Sequence, residues 1–179
     1  KVVDDGTIAR LADTEYRLTA AESNLRWLVD NAPGFAVEIV EETDRLGALS
    51  LQGPTSRALL ESLSGADLSQ LKYHRFTHVD LCGTPTMVSR TGYTGDLGYE
   101  IWIEAERALT VWDALVSAGR SYALQPTGIW AMDVCRIEAG LIMLDVDYTP
   151  APKALTLAQA SSPFELGLGW AVSFKKGNF

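Results

Sequence analysis

Apolar and polar positions change their period several times along the chain, and each change marks an element. Two short segments rich in Thr, Ile, Tyr and Leu, at residues 7–11 and 15–20, flank Ala12-Asp13-Thr14 and predict a hairpin. Ser23 stands as an N-cap before Leu25, Leu28 and Val29, a helical spacing that closes near Asn31-Ala32-Pro33-Gly34. Phe35, Val37 and Ile39 then alternate with smaller or charged residues, as a half-buried strand would. A strand over 46–51 is broken by Gly53-Pro54, and Thr55 caps a helix carrying Ala58, Leu59, Leu60 and Leu63. Past a connector at 64–72, strands at 76–81 and 86–89 flank Gly83.

Glycines 92, 95 and 98 recur every third residue between two strand patterns, which predicts a loop that uses positive φ repeatedly. Beyond it Tyr99, Ile101 and Ile103 share one strand face, and Glu100, Trp102 and Glu104 share the other. Ala108, Leu109, Val111, Trp112, Leu115 and Val116 form a helical stripe ended by Gly119, as expected of a helix that covers a sheet. A last helix starts at Thr127, after Pro126, and runs through Trp130, Val134 and Ile137 to Gly140. Pro150 and Pro152 mark a loop, and residues 166–174 read as strand-like. The sum is an α+β fold with mixed or antiparallel sheets and packed helices, rather than a regular parallel wound sheet.

Composition narrows the function classes. The 179 residues carry 23 acidic against 15 basic side chains, a net charge of -8, and no basic cluster, which argues against a phosphate-backbone partner. At 47% hydrophobic content the chain can bury a core. Cys82 and Cys135 lie far apart and outside any CxxC or Cys/His array, so the expectation is two free thiols in a reducing compartment, no metal site and no disulfide framework. Apolar runs fall short of the roughly 18 to 20 residues of a membrane span, and the N-terminus has no basic-then-apolar signal pattern, so a cytoplasmic location is expected. Lys1 opens directly onto strand-like Val2-Val3, Phe179 closes directly after Lys175-Lys176-Gly177-Asn178, and no initiator Met is present. The chain reads as a fragment.

Candidate chemistry gathers around the glycine-spaced loop. It lacks GxGxxG spacing and a following Lys-Ser/Thr, and a strand rather than a helix succeeds it, so it is no phosphate cradle. It is either an ordinary long hairpin loop or a hinge that sets Tyr93, Asp96 and Glu100 around one site. Glu100 interrupts a strand of aromatic and branched residues; charged strand residues mostly face water, and the other reading has its carboxylate accept two adjacent N–H groups of a flat heterocycle. Asp4-Asp5-Gly6 is either a turn or an acidic pair that takes a proton or stabilises positive charge beside a reacting amine. Asp133 and Arg136 have the spacing of a helical ion pair, a structural role, and His74 and His78 lack a nucleophile motif.

Taken in order, Asp4-Asp5-Gly6, Leu51-Gln52-Gly53-Pro54, Ser89-Arg90-Thr91-Gly92-Tyr93-Thr94-Gly95 and Gly98-Tyr99-Glu100-Ile101 resemble consecutive landmarks of the glycine cleavage T-protein (aminomethyltransferase) family. Arg136-Ile137-Glu138-Ala139-Gly140-Leu141 and the 162–170 run Ser-Pro-Phe-Glu-Leu-Gly-Leu-Gly-Trp resemble two more, so the likeness extends over nearly the whole chain. The resemblance implies a tetrahydrofolate-dependent one-carbon transferase whose folate pocket runs through the middle of a three-part, cloverleaf-like molecule. It implies that residues 1–179 are an internal portion of the folate-binding domain, incomplete at the N-terminus and lacking the C-terminal barrel domain.

By the same resemblance Glu100 is similar to the carboxylate that receives the pterin's amino and ring N–H groups, and Tyr93 to the tyrosine that lines that pocket. Asp5 is similar to the aspartate near folate N10, which would orient the nucleophilic amine and stabilise an iminium-like transition state. Met132 stands where glycine cleavage T-proteins usually carry a folate-contacting arginine and demethylating relatives often carry an apolar residue. Three functions follow: an aminomethyltransferase served by a lipoylated carrier protein; a folate-dependent demethylase of a methylated amine, sulfonium or methoxy-aromatic substrate, partnered in some relatives by a flavin dehydrogenase; and a folate-binding protein of iron-sulfur maintenance, whose cysteine motif is not matched by Cys82 or Cys135. No nucleic-acid or membrane partner is implied.

Overall fold

A computed structural model of the chain describes residues 1–176; Gly177 to Phe179, part of the chain end that suggested a fragment, lie outside the described residues. The chain divides into two compact units, one made of Glu41–Leu141 and the other of Lys1–Val40 together with the chain from Ile142 onward. Both antiparallel sheets and the four α-helices agree with the α+β expectation.

In the unit that holds both chain ends, strands β1 (Ile8–Arg10) and β2 (Tyr16–Leu18) form the expected hairpin, with Ile8 opposite Leu18. Helix α1 (Leu25–Asn31) follows, entered through Asn24 rather than Ser23. The returning segment is tied to the first residues by backbone bonds, Val2 N–H to Ser161 O at 3.0 Å and Ala151 N–H to Val2 O at 2.8 Å. Lys153 adds an ion pair to Glu22 and another to Asp145. Leu144, Tyr148, Pro150 and Ala160 are buried beneath these ties.

Two alternating stretches of this unit do not become strands. Phe35 and Val37 are exposed, and Phe35 N–H bonds back to Ala32 O instead of to a neighbouring strand. Alternation favours a strand only where a ladder partner exists to take the backbone groups. In 166–174 the backbone closes on itself through Leu168 N–H to Pro163 O, Ala171 N–H to Leu168 O and Val172 N–H to Gly169 O. Gly167, at φ 73°, supplies the left-handed step that permits this coiling.

The second unit is built on one antiparallel sheet of β3 (Leu46–Gln52), β4 (Phe76–Leu81), β5 (Thr84–Ser89) and β6 (Gly98–Glu104), in the order β3-β6-β5-β4. Strands β4 and β5 meet at Cys82 and Gly83, both at positive φ (56° and 77°), the two-residue hairpin turn whose twist matches its strands. Helices α2 (Ser56–Ser64) and α3 (Ala108–Gly119) follow β3 and β6 and bury Leu59, Leu60, Val111 and Leu115 in one core with Leu51, Val88, Tyr99, Ile101 and Ile103. Ala108 approaches β3 where Gly47 leaves room, a Cβ there standing 3.0 Å from the Ala108 methyl. Leu109 and Trp112 of the expected α3 stripe lie outside this core, 68% and 41% exposed.

Helix α4 (Ile129–Glu138) begins two residues later than expected, after an extended Gly128. Its C-terminus closes at Gly140, at φ 74°, as the sequence predicts. The Asp133–Arg136 pair forms at 2.7 Å, and Arg136 is buried while donating also to Leu141 O.

Truncating Leu60, fully buried in the core, should cost about 2–5 kcal/mol, whereas Leu109→Ala should stay within about 0.5 kcal/mol of wild type. Thermal and denaturant unfolding of both variants checks this; equal losses would place the core of α3 on the wrong face.

Candidate functional site

The sheet of the second unit has one face against α2 and α3, and strict alternation assigns side chains between that face and the opposite one. With Tyr99, Ile101 and Ile103 buried against the helices, the opposite face carries Met87, buried, and Glu100 and Trp102, half-buried. Across the ladder Ser50, Glu100, Ser89 and Phe76 occupy one rung, and Ala48, Trp102, Met87 and His78 the next. Phe76 and His78 meet edge to face at 5.8 Å. This face joins the Glu100 carboxylate, with Glu104 and Asp80 farther along their strands, to hydroxyls and aromatic rings, a surface suited to a flat, partly polar ligand.

The loop between β5 and β6 is held to this face by Gln52. Its amide nitrogen lies 3.1 Å from Ser50 Oγ and 3.3 Å from both Thr91 O and Tyr99 O, and Thr94 Oγ1 donates to its oxygen at 3.4 Å. A Cβ on Gly98 would stand 1.6 Å from that oxygen, and one on Gly92 2.1 Å from it. Gly92 and Gly98 therefore serve close approach rather than positive φ. Only Gly95 of the three takes the left-handed conformation, at φ 73°, and a Cβ there would press on Ala139, just beyond α4, at 2.4 Å. The three-residue glycine spacing thus has two physical origins, contrary to the single one expected.

Glu100 does not point freely into water. Thr91 Oγ1 donates to its Oε2, and Ser89 Oγ lies 2.8 Å from Thr91 Oγ1. Tyr93 is half-buried in the same loop, two residues past Thr91. Met132 is half-buried on α4, whose C-terminal end meets the loop at Gly95 through Ala139. Neither Thr91, Ser89 nor Gln52 stands out as a site residue in the sequence. All three lie within the landmark motifs, but their contacts become visible only through their partners.

Asp5 belongs to the other unit. The Asp4-Asp5-Gly6 stretch is not a turn but runs beside 19–21, with Ala21 N–H bonding to Asp5 O at 3.0 Å and Thr19 N–H to Thr7 O at 2.9 Å. Gly6 is needed because Thr19 O would stand 1.8 Å from a Cβ at that position. The two aspartates divide their roles. Asp4 accepts the Asn24 amide and the Asp5 N–H, a structural assignment. Asp5 is an exposed residue, yet its carboxyl is raised above its ordinary value, first by partial loss of hydration and then by the Asp4 charge, with the Gly6 N–H pulling it partly back.

Among the described residues no group of three or more His, Cys, Asp or Glu side chains is arranged to hold a metal ion, and both cysteines are free. Among the same described residues no helix is long and apolar enough to cross a membrane.

Comparison with known proteins gives one family. The model of the GCVT N-terminal domain matches residues 1–176. An aminomethyltransferase of Caldanaerobacter subterraneus subsp. tengcongensis is 37% identical over 183 residues, covering 99% of this chain and 46% of that protein. The solved structure of the glycine cleavage system aminomethyltransferase T from Bartonella henselae superposes with a TM-score of 0.77 at 28% identity, covering 96% of this chain and 44% of that one. The heterotetrameric sarcosine oxidase from Corynebacterium sp. U-96 shares the fold over 72% of this chain, with a TM-score of 0.57 at 22% identity. The chain spans about half the length of the aminomethyltransferases it matches.

A raised Asp5 means that the folded chain binds this proton more tightly than the unfolded one. The group adds stability below the ordinary value of 3.8, and that contribution is lost as pH rises through the higher folded value. Asp5→Asn should therefore melt at the same or a slightly higher temperature than wild type at pH 7, with any advantage vanishing below about pH 4. Melting temperatures of both proteins across pH read this directly, and a lower melting point for the variant at neutral pH would contradict the assignment.

Proposed function

The chain belongs to the GCVT N-terminal domain family, and from that membership we propose that it carries the pterin-gripping part of a tetrahydrofolate-dependent one-carbon transferase, of the aminomethyltransferase kind. The observation that carries this reading is the half-buried Glu100 carboxylate on the sheet face away from α2 and α3, held by Thr91 and flanked on its own strand by Trp102. A reduced pterin offers adjacent amino and ring N–H donors in one plane. A carboxylate is the acceptor that matches such a pair, and charge assistance gives the contact both strength and orientation. Tyr93 lines the same ligand, by its likeness to the family's tyrosine. The donor set of this face fits folate.

When bound, tetrahydrofolate supplies the nucleophilic nitrogen that accepts the carbon. The protein's own contribution is then alignment and electrostatics. Asp5 orients that amine and stabilises positive charge developing beside it. A lipoylated carrier protein delivers the carbon in the aminomethyl version of the reaction.

Met132 favours a second reading, demethylation of a methylated amine, sulfonium or methoxy-aromatic donor, since an apolar thioether replaces the charge that an arginine would bring to folate. A flavin dehydrogenase partner goes with the methylated-amine version. The matched relatives are named aminomethyltransferases, which favours transfer over a role in iron-sulfur maintenance.

The test is calorimetric titration of the intact protein with 5-formyltetrahydrofolate. Wild type should saturate, and Glu100→Ala should bind at least about tenfold more weakly, as expected when a hydrogen bond to a charged group worth about 1.5–3 kcal/mol is lost. Equal affinities would remove Glu100 from the site. Assays with lipoyl-bound aminomethyl groups and with methylated amines, reading the folate product, separate the two donor classes.

A further inference from the structure

Trp102 and Glu100 lie two residues apart on the face of β6 away from α2 and α3, and Ser89 faces Glu100 across the ladder. Three hydrogen bonds connect them. The Trp102 indole Nε1–H donates to Ser89 Oγ at 3.4 Å, Ser89 Oγ lies 2.8 Å from Thr91 Oγ1, and Thr91 Oγ1 donates to Glu100 Oε2. The ends of this chain admit one direction each, because an indole N–H only donates and a carboxylate only accepts. The two hydroxyl rotors between them are thereby oriented: Thr91 spends its proton on Glu100, so Ser89 must give its own to Thr91. The other outlet for Ser89, the Glu100 backbone oxygen at 3.4 Å, is the longer bond.

We propose that Thr91 is a positioning residue for ligand recognition: the Trp102–Ser89–Thr91 chain holds the Glu100 carboxylate in one orientation, using one acceptor site of Oε2 and leaving both oxygens able to accept the ligand's paired N–H groups. The inference rests on the reading of Glu100 as the pterin acceptor and adds how that acceptor is prepared. A glutamate side chain gives up rotamer freedom when it is fixed, and a fold that has fixed it beforehand spares the ligand that loss. Engaging Oε2 also sets the plane in which the two carboxylate oxygens can meet a flat heterocycle. The backbone supports the device: Gln52 holds the Thr91 carbonyl, and Gly92 and Gly98 let Gln52 lie close enough to do so.

A purely structural Thr91 would stabilise the loop without acting through Glu100, and the experiment separates the two. In the intact protein, titrated with 5-formyltetrahydrofolate, Thr91→Val replaces the hydroxyl by a methyl and should weaken binding about tenfold, with Thr91→Ser restoring it to within about threefold. Added to Glu100→Ala, Thr91→Val should weaken binding no further. Should Thr91→Val fail to give a cooperative melt, Ser89→Ala breaks the chain one link earlier and should show a smaller loss that also disappears in the Glu100→Ala background. The carboxyl carbon resonance of Glu100, recorded without ligand, should move in Thr91→Val and return in Thr91→Ser. A resonance that does not move, or a Thr91→Val loss that is undiminished in Glu100→Ala, overturns the proposal. A resonance that moves while Glu100→Ala binds like wild type leaves the hydrogen-bond chain standing as structure but sinks the pterin reading, and with it Thr91's role in recognition.

Discussion

Strand β6 cannot bury Tyr99, Ile101 and Ile103 beneath α2 and α3 without turning Glu100 and Trp102 to the opposite face. Successive strand side chains alternate by geometry, and a register slip of one residue would exchange the faces entirely. The core therefore decides where the carboxylate goes. Each fully buried Leu or Ile in that core contributes roughly 1.5–3 kcal/mol, far more than a surface carboxylate loses by standing among hydroxyls instead of water. Glu100 is placed by the apolar residues on either side of it, and Thr91 then settles its orientation.

The loop before β6 shows how a site of this kind is made dense without a large side chain. Gln52 projects from the neighbouring strand over Gly98 and against Gly92, and its amide bonds backbone oxygens on both the loop and β6. Two missing Cβ atoms create the space, and one side chain fills it with hydrogen bonds that would otherwise fall to water. This is a packing use of glycine. The left-handed Gly95 is the conformational use, and it lets the loop pass under the residue that ends α4.

The acidic residues follow a similar division in the unit that holds both ends of the chain. Asp4 is occupied by Asn24 and by the next residue's own N–H, so its charge is absorbed into local structure. Lost hydration, and after it that same charge, raises the Asp5 carboxyl. Here, as with Thr91 on Glu100, a polar residue with a structural contact acts on an adjacent carboxyl group.

Patterns that depend only on neighbours along the chain were legible in the sequence: the β1–β2 hairpin, the α2 core and part of the α3 stripe, the alternation of β6 and the Asp133–Arg136 pair. Period and spacing carry these because the forces involved, burial and short-range pairing, act within a turn of helix or a few residues of strand. Tertiary structure alone decided whether an alternating segment found a ladder partner, which residues 35–40 and 166–174 did not, and why Gly92 and Gly98 are glycines. It alone joined Trp102, Ser89, Thr91 and Glu100 into one hydrogen-bonded chain, since Ser89 and Glu100 meet only through strand register. Those outcomes depend on which atoms strand register and loop closure bring together, and the local sequence holds no record of that.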